Sequence, residues 1–131
     1  MKVVVAAGIG TLTDEEVFGY HREVWSRKEV AGYDELIDMS RVGHIALPSA
    51  QRVRDLAETS AKDDGPGPSR LAVVAPSDLA FGLGRMYQTR RAQDPRSTKQ
   101  VGVFRTMAEA LEFLRMDHAP EPPDLEGALP A

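Results

Sequence analysis

LAVVAPSDLAFGLGRMYQTRRA, residues 71–92, decides how the chain is read. Its first five residues are an unbroken apolar run of strand length, the pattern of a strand covered on both faces. Pro76 ends the run, and Ser77 is placed to cap a helix. From there Leu79, Leu83, Met86 and Tyr87 recur at helical spacing and form most of an apolar stripe. A buried strand that passes directly into a helix is part of a strand–helix–strand unit. It predicts an α/β domain with a mainly parallel sheet and right-handed crossovers.

The same alternation extends in both directions. Val3 to Ala7 is a β-branched strand. It is followed by TDEEVFGYHREVWSRK, in which Thr13 and Glu16 make a capping box and Val17, Phe18, His21, Val24 and Trp25 share one face. YDELIDM, residues 33–39, reads as the next strand, with HIAL extending the pairing briefly. Pro48 and Ser49 open another helix whose buried face is Ala50, Val53, Leu56 and Ala57. KDDGPGPS, residues 62–69, reads as a mobile loop that does not pack. VGVF is the last strand, and TMAEALEFLR the last helix, capped by Thr106 and Glu109 with Met107, Ala110, Leu111 and Leu114 facing inward. The domain is expected over residues 1–115. Residues 116–131, rich in proline with little to bury, are expected to be a disordered tail.

Gly82 and Gly84 sit inside the helix that starts at Ser77, where each costs about 1 kcal/mol relative to alanine. Three explanations stand side by side. The backbone approaches its own sheet, a protein partner or second copy approaches the backbone, or a ligand lies against it. Gly82 shares a face with Asp78 and Arg85, towards the outer or rim side of the helix.

Composition narrows the function classes. The chain has 131 residues, a net charge of −4 and 42% apolar residues, enough for one core. There is no apolar run of membrane-spanning length. The absence of cysteine excludes disulfides and thiolate chemistry and leans towards the cytoplasm. Sixteen basic residues are dispersed along the chain, without the stripe that nucleic acid demands. Arg85, Arg90, Arg91 and Arg96 are the one basic cluster and read as a solvated helix face and loop.

LIDMSRVGHIALPSAQRVRDL, RLAVVAPSDLAFGLGRMY and QVGVFRTMAEALEFL together resemble the SpoIIAA-like group of the STAS superfamily, specifically its small bacterial members. The likeness covers about residues 2–115. It implies a four- or five-stranded, mainly parallel sheet with about four helices. Members usually begin with one further antiparallel strand, expected here to be missing or very short. The best-known members bind a kinase-like partner and are switched by phosphorylation of a serine that follows an aspartate. That pair falls at about Ala46 and Leu47, so no phosphorylation is expected, and Ser49 is read as a helix cap. Other relatives bind lipids, nucleotides or small apolar molecules.

Asp38 and Ser40 end the second strand in this reading, Ser77 and Asp78 follow the third, and Arg105 and Thr106 follow the fourth. In a parallel sheet all emerge at the carboxyl edge, where ligands and helix amino-termini gather. Capping alone accounts for Ser49, Ser77 and Thr106. His21, central on its apolar stripe, is either a pocket base or a hydrogen-bonded core histidine. No pair of histidines has metal-ligand spacing, no phosphate-cradling loop or nucleophile elbow occurs, and no nucleophile is paired with a base. The expectation is a non-enzymatic module without a cofactor or metal. It would bind a protein partner or form a homodimer through the glycine-bearing helix, with Asp38, Ser40, Ser77, Asp78, Gly82, Arg85 and His21 as candidate binding residues. The alternative is a binder of an apolar, lipid or anionic small molecule at the carboxyl edge.

Overall fold

The computed structural model of the chain describes residues 3–13, 33–46, 50–62, 64 and 68–116. These form β1 (Val3–Thr13), β2 (Asp34–Ala46), α1 (Ala50–Lys62), β3 (Ser69–Val74), α2 (Asp78–Gln93), β4 (Lys99–Phe104) and α3 (Met107–Leu114). The four described strands pair in sequence order, and every pairing is parallel. The expected α/β class with a mainly parallel sheet is therefore correct.

β3 carries the architecture, because five of its six residues are buried and its side chains divide between two cores. Leu71 and Val73 join Ile45, Val101 and Val103 on one face, packed with Ala80, Phe81, Leu83 and Tyr87 of α2. Ala72 and Val74 join Leu36 on the other, under Ala110 and Leu114 of α3. That period-two division explains why the strand reads as a continuous apolar run. α1 contributes Val53, Ala57 and Ala61 as buried residues and packs against α2.

Several expectations need correction. β2 does not stop at Met39 to resume at His44; it runs through to Ala46, so the extension expected at HIAL is present as far as Ala46, with β1 beside it as far as Thr13. β3 accompanies it only to the Asp38–Val74 pairing. The outer halves of β1 and β2 therefore form a two-stranded parallel ribbon beyond the sheet. Register shifts interrupt the ribbon between Ala7 and Ile9 and between Gly10 and Thr11. Gly10 has φ +76°, a conformation that glycine adopts without Cβ strain. Thr13, expected to cap a helix, is the last residue of β1, an extended position compatible with that role. That helix, with His21, lies outside the described residues, as do Pro48, Ser49 and the carboxyl-terminal tail.

The segment read as a loop that does not pack is anchored at Asp64, whose side chain is only 4% exposed. The stripe on α2 is also rotated from its expected position. Its buried residues are Ala80 and Arg91, while Leu79 is 56% exposed. Among the described residues, no helix is long and apolar enough to cross a membrane.

Candidate functional site

Two polar assemblies lie at opposite edges of the sheet. At the carboxyl edge, β3 and β4 end together, with the Ala75 N–H donating to the Phe104 carbonyl at 2.7 Å. Ser77 caps α2, its hydroxyl accepting from the Ala80 N–H at 3.1 Å. Thr106 caps α3, accepting from the Glu109 N–H at 3.3 Å and donating to the Glu109 carboxylate at 3.0 Å. Both hydroxyls are engaged by their own helices, as capping chemistry predicts.

Arg105, between β4 and α3, ties these two helix starts together. Its Nη1 donates to the Asp78 carboxylate at 2.7 Å and to the Pro76 carbonyl at 3.1 Å. The guanidinium lies 4.3 Å from the centre of the Phe81 ring, and the Arg85 guanidinium lies 6.0 Å from it. Phe81 is thus flanked by two cations, a stabilising arrangement for an aromatic quadrupole. Asp78, Arg85 and Ser77 of the predicted set come together here. Asp38 and Ser40 do not end a strand, because β2 continues past them with β1 as its partner. They bond to each other, the Ser40 N–H donating to the Asp38 carboxylate at 2.9 Å.

Gly82 is exposed, and a Cβ built there meets nothing within 4 Å. Gly84 is the opposite case. Its Cβ would stand 2.9 Å from Val103 Cγ1 and 3.3 Å from Cγ2. Close packing on the sheet therefore explains Gly84 and leaves Gly82 unexplained.

The second assembly, at the amino edge, had no counterpart among the predicted site residues. Arg91, only 2% exposed, donates through Nη2 to both oxygens of Asp64 at 2.5 Å, through Nη1 to the Tyr87 hydroxyl at 2.8 Å and through Nε to Ser97 at 3.1 Å. Asp64 also accepts from the Thr98 and Lys99 backbone N–H groups at 2.8 and 3.2 Å. Lys99 Nζ donates to the Tyr33 carbonyl at 2.9 Å.

Burial pushes the Tyr87 pKa up, with Arg91 and a hydrogen bond from Ser60 working against it. Burial pushes the Lys99 pKa down, with Glu35 and Asp64 opposing. Arg91 is desolvated, yet Tyr87 and Asp64 hold its charge more firmly than usual. The Arg91–Asp64 pair, in which one guanidinium nitrogen reaches both carboxylate oxygens, and its surrounding donors satisfy one another, so the assembly acts as a fastening. Its signal in the sequence was a charged residue at position 91, one turn after Tyr87 on the inward side of the helix.

The basic cluster expected to be solvated thus divides. Arg91 is buried, and Arg85 lies over Phe81. Arg96 grips Asp94 through two nitrogens at 3.0 and 2.6 Å. These hydrogen bonds hold the Asp94 carboxyl down to about 2. Arg90 lines an open groove with Ala57, Glu58 and Gln93.

No protein-family model matches the sequence, and no curated protein does. Among solved structures, the chain is similar to an uncharacterised protein of the DUF3478 family with a SpoIIAA-like fold, from Shewanella loihica PV-4. The two share 18% identity and superpose with a TM-score of 0.50, over 84% of this chain and 82% of that one. The fold is SpoIIAA-like. On this SpoIIAA-like frame, both assemblies are built by the loops and helix ends that join parallel strands.

Proposed function

We propose that the chain is a non-enzymatic SpoIIAA-like module of the cytoplasm that binds a protein partner through the outer side of α2. The observation that carries this reading is Gly82, an exposed interior helix glycine with open space where its Cβ would stand. A glycine there weakens the helix and relieves no contact with the described residues, so an approaching surface supplies the reason for it. Leu79, 56% exposed beside it, adds apolar area at the same place. At the carboxyl edge, Ser77 is engaged by its cap, and Asp78 pairs with Arg105 while its side chain stays exposed.

The test is a quantitative affinity capture comparing the full chain with Gly82→Gln, after both are verified as folded by thermal melting. Specific loss of a retained protein on Gly82→Gln supports the reading. Identical retained sets for the two chains sink it.

A further inference from the structure

We infer that the partner docked on α2 is a second copy of this chain, its own α2 running antiparallel about a two-fold axis at Gly82. The inference rests on the partner reading above and specifies it. At about 100° per residue, Asp78 and Arg85 fall on one flank of Gly82, and Leu79 and Met86 fall on the other. A two-fold axis perpendicular to an antiparallel helix pair brings like flanks together. Asp78 then meets Arg85 of the second copy, and Leu79 meets Met86 of the second copy, each contact occurring twice.

The axial positions agree. Asp78 lies four residues before Gly82 and Arg85 three residues after it, so across the axis the two are level to within about 1.5 Å. Leu79 and Met86, three before and four after, match equally well.

The groups this geometry needs are available. The Asp78 side chain is 96% exposed although it accepts from Arg105, so it has room for a second cation. Arg85 is exposed, and Met86 is half-buried. With nothing within 4 Å of the Gly82 Cβ position, the two helix backbones approach closely at the crossing point. One helix pair buries less than the roughly 1,200–2,000 Å² of a stable complex. A weak, concentration-dependent dimer follows.

Sedimentation of the full chain over a concentration series tests this directly. The wild-type chain is expected to pass from monomer to dimer. Asp78→Arg and Arg85→Asp, each placing like charges opposite one another twice, are expected to weaken association at least about tenfold. The double variant carrying both changes restores complementary pairs and is expected to return towards wild type. Thermal melts of all three variants separate loss of association from loss of folding. A wild-type chain that stays monomeric throughout overturns the inference, as does a folded double variant no better than the singles. If that monomeric chain still loses a captured protein on Gly82→Gln, the second-copy inference alone fails and the partner reading stands.

Discussion

Gly82 and Gly84, two residues apart on one helix, have opposite physical roles. A methyl group at Gly82 enters open space, so Gly82→Ala should raise stability by up to about 1 kcal/mol through helix propensity and a less flexible unfolded chain. A methyl group at Gly84 stands 2.9 Å from Val103, which is itself buried. Overpacking then outweighs propensity, and Gly84→Ala should lose about 1–3 kcal/mol. Two thermal melts check the pair, and shifts of the same sign would refute the assignment. The sequence marked both glycines as anomalous but did not separate their roles. Treating Leu79 and Met86 as buried and Arg91 as solvated turned the helix by roughly a quarter turn. The contacts with Val103 and Asp64 fix the true rotation.

Between elements, the Asp64–Arg91 pair is the principal polar fastening at the amino edge. It joins the end of α2 to the segment before β3 and, through the Thr98 and Lys99 N–H groups, to the start of β4. Asp64→Ala strands a buried guanidinium and should cost about 3–5 kcal/mol in urea unfolding. Adding Arg91→Met removes the stranded charge and should recover part of that loss, whereas strict additivity would refute the coupling. The caps are local by comparison, and Ser77→Ala should cost about 1 kcal/mol in the same measurement. The caps were legible because donor and acceptor lie three residues apart. The fastening was not, because Asp64 meets groups 27 to 35 positions away, from within a stretch whose glycines and prolines read as a loop.

For the whole molecule, the buried amino-edge groups set the alkaline limit of stability. The folded chain holds the Tyr87 proton to a higher pH than the unfolded chain does, because burial raises its pKa. Its contribution is therefore present below about pH 10 and is lost as the pH rises beyond that. Lys99 works in the opposite sense. Burial lowers its pKa, so the unfolded chain holds more protons and stability gains as the pH approaches the ordinary lysine range. The urea midpoint should fall above about pH 10, and Tyr87→Phe should flatten that fall even though it removes a hydrogen bond to Arg91. An equally steep fall in Tyr87→Phe would assign the alkaline limb to other groups.

Alternation of strand and helix, the apolar β3, both described caps and the presence of two misplaced glycines were determined by the sequence itself. Each depends on periodicity or on chemistry within one turn of helix. The length of β2 was not legible, because it depends on pairing with β1, more than thirty residues away. The face that α2 turns to the sheet, the burial of Arg91 and the outward position of Gly82 were likewise decided by tertiary packing. A helix with apolar residues spread around most of its circumference, and an arginine beside Ala80 and Tyr87, is compatible with several rotations. Contact with Val103 and the carboxylate of Asp64 selects one of them.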